Sequence, residues 1–372
     1  KITVNRDISM DASSTFNASS YSHAFMGSWT NNGTFSGGTS TVTFSGANAV
    51  LSGTGTNNFN NLAFSAAGIT AAATTTINVA GNLSTSGSGT FVHSALGVVN
   101  MSGSSKTISG AGLAFCNLNV AGSVTASSNM AVSGNLVIDG TYTASAGILT
   151  MSGTSKSISG SGTITFNALN IQGIITTANS FDIKSNITVS LAGSFTASAG
   201  TVTVTSTTSL AGTVNLYNVT INNGRTLRMG SNSKLRIANV FTKSGTLNVT
   251  TNTPNTVEYN STGAQSVVNT TYNNLILSTG GTKTAAGAIT VNNDFTIGNS
   301  TTFNASSYTF SLYRHFTNNG TFTAGTSTVQ FLGGNVANIT GATTFNVLVE
   351  NKNSATISVN LLNNIISNDL TL

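Results

Sequence analysis

The chain has 372 residues, of which 6% are charged against roughly a quarter in ordinary soluble domains, and its formal net charge is +5. Residues 12–105 contain no Asp, Glu, Lys or Arg, which disfavours amphipathic helices, since these need a charged solvent face. So few cations are weak support for nucleic acid, no apolar run reaches the 18 or so residues of a spanning helix, and one cysteine, Cys116, rules out an intrachain disulfide framework.

The first element is a long internal repeat. Residues 2–44 match residues 289–331 without a gap at 25 of 43 positions, and the similarity extends to residues 85 and 372 at an offset of 287. Thr15-Phe16-Asn17-Ala18-Ser19-Ser20-Tyr21 returns as Thr302-Phe303-Asn304-Ala305-Ser306-Ser307-Tyr308, and Thr30-Asn31-Asn32-Gly33-Thr34-Phe35 returns as Thr317-Asn318-Asn319-Gly320-Thr321-Phe322. Self-similarity of this kind marks a repeat architecture. Within it, Ser40-Thr41-Val42-Thr43-Phe44 alternates apolar and hydroxyl residues, the pattern of a half-buried strand.

Shorter copies follow along the chain, each reading apolar, x, x, apolar, x, apolar. They begin at Phe59, Phe115, Phe166, Leu216, Tyr272 and Phe345, with spacings of 56, 51, 50, 56 and 73 residues. A second landmark trails each by about 20 residues, as in Val79-Ala80-Gly81-Asn82-Leu83 and Val132-Ser133-Gly134-Asn135-Leu136. Its short carbonyl-bearing side chains are Asp7, Asn82, Asn135, Asn186, Asn239, Asp294 and Asp369, read here as a structural polar ladder at the coil corners.

Between residues 147 and 199 six strands are expected, at 148–151, 156–158, 164–171, 174–177, 181–189 and 194–196. Six strands in 53 residues predict two coils of about 25 residues with three short strands each. The fold class is therefore all-β, a right-handed parallel β-helix of about 15 coils, with residues 1–372 forming one continuous β-solenoid that is a segment of a longer array. The longest spacings imply one extra coil at 14–38 and again at 301–325. Lys106 and Lys156 sit in the matching segments 101–110 and 151–160 and are expected to project along one face two coils apart.

One concentration of charge follows: Arg225, Arg228, Lys234, Arg236 and Lys243, a candidate anion-binding patch. Chemistry is otherwise sparse. The acidic residues Asp11, Asp139, Asp182, Glu258 and Glu350 fall in different repeat phases and offer no carboxylate pair for glycoside hydrolysis. His23, His93 and His315 give no metal spacing, and no nucleotide-binding glycine loop is present, so no catalytic residue, metal or cofactor is expected. Thr-x-Thr segments such as Thr41-Val42-Thr43, Thr74-Thr75-Thr76 and Thr201-Val202-Thr203 do not recur in one register, so no ice-binding face is read from them.

The segment Thr30-Asn31-Asn32-Gly33-Thr34-Phe35-Ser36-Gly37-Gly38-Thr39-Ser40-Thr41-Val42-Thr43-Phe44 resembles the Gly/Ser/Thr/Asn-rich β-helical repeats of very large bacterial surface and secreted proteins. The resemblance implies an extracellular, adhesin-like or fibre-forming role and transfers no catalytic residues. The expected function is a non-catalytic shaft of a bacterial extracellular filament or giant surface adhesin. Its expected partner is itself, end to end or by continuation of the polypeptide. The alternative is an adhesin segment that binds a cell-surface glycan.

Overall fold

Strand follows strand in steps of about seven residues, and most pair in parallel with the strand three places later. In the first of two compact units, Lys1–Thr196, the strand Asn61–Phe64 pairs with Leu83–Thr85, Ile69–Ala71 with Phe91–His93, and Thr76–Val79 with Val98–Met101. Three ladders thus enclose one interior. The computed structural model describes residues 1–371, and all its regular elements are strands.

The second unit, Ala197–Leu372, repeats the arrangement: Thr201–Val204 pairs with Asn218–Ile221, Thr208–Ala211 with Thr226–Met229, and Thr213–Leu216 with Lys234–Ile237. Three strands per turn is the expected number. The turns are shorter than 25 residues, so there are about 18 in place of 15.

The difference comes from the corners. The strand Thr163–Ile171 carries two pairing segments with a register shift between Phe166 and Ala168, and it pairs with both Thr141–Ala144 and Ile148–Met151. Phe181–Val189 follows it around the same bend. Two apolar residues three apart cannot share one face of a strand, because side chains alternate with period two. Phe59 and Leu62, both buried, therefore bracket a corner, with Asn60 carrying the chain from one ladder to the next.

Each landmark stacks directly on its own copy, one turn later: Leu62 faces Leu83, Leu118 faces Leu136 and Leu169 faces Ile187 in the first unit. In the second, Val219 faces Phe241, Leu275 faces Phe295 and Leu348 faces Leu370. Successive copies within a unit nevertheless occupy different ladders. Leu62 continues through Leu83 and Ile108 to Ala126, whereas Leu118 lies in the ladder of Val99 and Leu136. The sequence repeat spans about two and two-thirds turns, so each copy begins one face back from the last.

Lys106 and Lys156 are separated by this offset. The pattern suggested one shared face, but Lys106 pairs beside Val124 in one ladder and Lys156 beside Ile175 in another.

The interior is apolar and ring-rich. Phe25, Trp29, Phe35, Phe44 and Phe59 are all buried, and Phe64 stacks on Phe91 at 4.4 Å and 10°. The recurring Thr-Asn-Asn-Gly stretch has a local cause: Asn31 and Asn318 point inward, and each Oδ1 accepts the backbone N–H of the glycine two residues on. Asn31 also donates to Asn57 Oδ1 at 3.0 Å, which accepts Trp29 Nε1 at 3.0 Å, so these buried amides are mutually satisfied.

Candidate functional site

The corner residues act as backbone caps. Asn61 Oδ1 accepts the N–H of Asn82 at 2.9 Å, and Asn82 Oδ1 accepts the N–H of Thr107 at 3.0 Å. Asn117, Asn135 and Ser157 repeat this relay at 2.9 and 3.0 Å. Asn218 Oδ1 takes Asn239 Nδ2 at 2.8 Å, Asn274 Oδ1 takes the N–H of Asp294 at 3.2 Å, and Asp7 Oδ1 takes the N–H of Ser28 at 2.7 Å. Asn186 stands opposite Ala168, and Asp369 opposite Val347. The seven positions are not neighbours in one column, since the repeat changes face between them. For Asp7, Asn82, Asn135, Asn239 and Asp294 the bonds run to adjacent turns instead.

An amide ladder does form elsewhere. Asn78 Nδ2 donates to Asn58 Oδ1, Asn100 to Asn78 and Asn119 to Asn100, at 2.8, 2.8 and 2.9 Å. These four residues face outward on consecutive turns of one ladder. Its signature in the chain is Asn followed by a buried residue, at Phe59, Val79, Met101 and Val120, at single-turn spacing.

Of the five clustered cations, Lys234 and Arg236 converge on Glu258. Lys234 Nζ lies 2.5 Å and Arg236 Nε 3.1 Å from Oε2, Arg236 also donates from a terminal nitrogen to Oε1 at 3.1 Å, and Ser278 Oγ donates to Oε1 at 2.5 Å. Register explains the meeting, because Arg236 and Glu258 are direct neighbours across parallel strands. Arg228 and Lys243 belong to the other two ladders of this unit, and Arg225 lies in the turn before Thr226–Met229. The cluster in sequence is thus distributed around the body.

Burial pushes the Glu258 carboxyl up, but Lys234, Ser278 and Arg236 outweigh it and hold it below the usual glutamate range. A carboxyl depressed in the folded state contributes stability that is complete above its unfolded value, about 4.3, and is lost as pH falls through the folded value. Thermal melts from pH 7 down to pH 3 are expected to fall on the acid side. Glu258→Gln should melt lower at pH 7 yet lose less on acidification, and equal acid losses in the two proteins would rule out this assignment.

A lysine reads as a surface residue in the sequence, but Lys283 is wholly buried. Its strand Gly281–Ala285 turns Thr282 and Thr284 outward, so period two points Lys283 inward, where Nζ donates to the carbonyls of Ser261, Gly280 and Gly263 at 2.5, 3.0 and 3.3 Å. Burial pushes its ammonium down to about 8. His23 and His93 are also buried, while His315 Nδ1 accepts the N–H of Asn338 at 3.1 Å.

The most regular surface feature is an array of hydroxyl groups in the first unit. Thr107, Thr125, Thr143 and Thr165 stand in register on four consecutive turns. Beside them Ser123, Thr141 and Thr163 form a parallel column two residues away, and the intervening Val124, Tyr142 and Ile164 are buried. The array is bounded by Asn82, which caps Thr107, and by Asp182, which faces Thr165. A shorter version in the second unit sets Thr282, Thr302 and Thr321 beside Thr284, Asn304 and Thr323.

Glycines lead into the array. Gly122, Gly140 and Gly162 each precede one of its strands, and a Cβ on Gly140 would lie 1.9 Å from the carbonyl oxygen of Gly122. The tetrads Gly122-Ser-Val-Thr125, Gly140-Thr-Tyr-Thr143 and Gly162-Thr-Ile-Thr165 were legible in sequence. Their spacing is one turn, whereas the strongest self-similarity has the longer period, and alignment on that period scatters them.

No family model matches the chain, and no curated protein or solved structure matches it. Among the described residues no helix is long and apolar enough to cross a membrane.

Proposed function

We propose that this chain is a non-catalytic structural β-solenoid, part of the shaft of a bacterial extracellular filament or giant surface adhesin. The observation that carries this reading is the uniformity of the turns. Within each unit parallel ladders join successive turns, although in the second unit only the ladder Lys234–Ile237, Thr256–Tyr259 and Asn274–Leu277 runs on past Asn248. Apolar columns fill the interior, and the outward positions are mostly Ser, Thr and Asn with few charges. Such a surface stays hydrated while limiting lateral charge attraction. The likeness of residues 30–44 to bacterial surface repeats supports the location.

Its partners in this reading are further turns of the same kind, in the same polypeptide or a second copy. Electron microscopy of the purified chain at high concentration is expected to reveal filaments. A chain that stays monomeric, binds a glycan array and loses that binding when Arg225, Arg228 and Lys243 are neutralised would instead establish the glycan-binding alternative.

A further inference from the structure

We infer that the threonine and serine array on the first unit is a binding surface for crystalline water, a property independent of the shaft reading. Seven hydroxyls stand in two columns on one parallel ladder: Thr107, Thr125, Thr143 and Thr165, with Ser123, Thr141 and Thr163 alongside. Along a column the groups repeat at the strand spacing of about 4.8 Å, and across the columns at two residue rises, about 6.6 Å. These two repeats are close to those of the water oxygens on a prism face of hexagonal ice. Each threonine presents a hydroxyl to join the lattice and a methyl group to fill the gaps between waters.

Three further features make the surface suitable. Among the described residues none of the seven hydroxyls has a hydrogen-bond partner, whereas the strand amides and carbonyls are engaged by the ladder. Threonine side chains are stiff at χ1, and a parallel ladder fixes their bases, so little ordering remains to oppose binding. The array also contains no charged residue; Lys106 and Asp182 stand at its margins.

A crystalline polysaccharide would call for exposed rings on which sugars stack, but Tyr142, the one ring within the array, is buried and turned inward. A mineral or polyanion would call for charges that are not there. The sequence hid the array because Thr41-Val42-Thr43 and Thr201-Val202-Thr203 are the conspicuous Thr-x-Thr segments, and neither belongs to it.

The test uses the full chain in two assays, incorporation into a slowly growing ice front and inhibition of ice recrystallisation. The wild-type chain is expected to enter the ice and slow recrystallisation. The triple variant Thr125→Lys/Thr143→Lys/Thr302→Lys, which places charge inside both arrays, is expected to remain in the liquid and require a several-fold higher concentration to inhibit. Thr150→Lys adds a lysine to a neighbouring ladder of the same unit and should behave as wild type.

Circular dichroism and thermal melting check that each variant is folded; if the triple variant melts early, Thr143→Lys alone should still weaken both readouts. Exclusion of the wild-type chain from ice would overturn the inference. So would equal activity in the folded triple variant, equal loss in Thr150→Lys, or retention on crystalline cellulose or chitin without entry into ice.

Discussion

Replacing Phe44 by alanine is expected to lower the stability of the first unit by about 3–5 kcal/mol, the cost of cutting back a fully buried aromatic ring. Phe44 has no exposed surface, and its ring lies 5.7 Å from Phe25 in the turn before and 6.0 Å from Phe64 in the turn after. Across the interior it lies 6.0 Å from Trp29 and 6.3 Å from Phe59. Those neighbours are held by strand register, so they cannot collapse into the space, and a residual cavity adds to the lost transfer energy. Phe44→Leu retains most of the volume and should cost less.

Trp29 is the only tryptophan and borders the cavity, so its fluorescence reports the local turns while circular dichroism reports all strands. Coincident urea transitions would mean that the unit melts as one, as strongly coupled repeats do. A loss below about 1 kcal/mol in Phe44→Ala would contradict the packing described for this ring.

Fold class and strand number were legible because they depend on local pattern. Alternation in Thr41-Val42-Thr43-Phe44, glycine punctuation and the absence of charged helical faces all point to stacked strands. Turn length was misread for a physical reason. Residues 164–171 read as one strand, and Thr163–Ile171 is continuous, but Phe166 and Leu169 lie on two ladders with a corner between them, so one strand serves as two. A corner that keeps extended backbone leaves only a break in period two as its sign.

The remaining misplacements share one cause, the mismatch between a repeat of two and two-thirds turns and a turn of three faces. Residues that correspond in the repeat, such as Lys106 and Lys156, are sent to different faces, while residues that meet, such as Arg236 and Glu258, do not correspond in it. The hydroxyl array and the Asn58–Asn119 amide ladder follow the single-turn spacing and are diluted in any longer alignment. Lys283 was missed because its chemical type suggested the surface; the neighbours Thr282 and Thr284 carried the opposite information.

Gly140→Ala is expected to be as damaging as the loss of a large core side chain, although it adds one methyl group. A Cβ there would stand 1.9 Å from the carbonyl oxygen of Gly122 and 2.5 Å from that of Ala121, and both are backbone atoms that cannot rotate away. The turns would have to separate, which breaks the bonds from Gly140 N to Val120 O at 3.0 Å and from Thr141 N to Gly122 O at 2.9 Å. Overpacking combined with unpaired buried amides gives an expected loss of about 3 kcal/mol or more. Gly263 provides the contrast, because a Cβ there would meet nothing closer than Ser261 Oγ at 3.9 Å. Gly263→Ala should therefore change stability by no more than about 0.5 kcal/mol. Urea unfolding of the two variants decides the matter: a Gly140→Ala protein as stable as Gly263→Ala would mean that the turns are not held together by close glycine contacts at this corner.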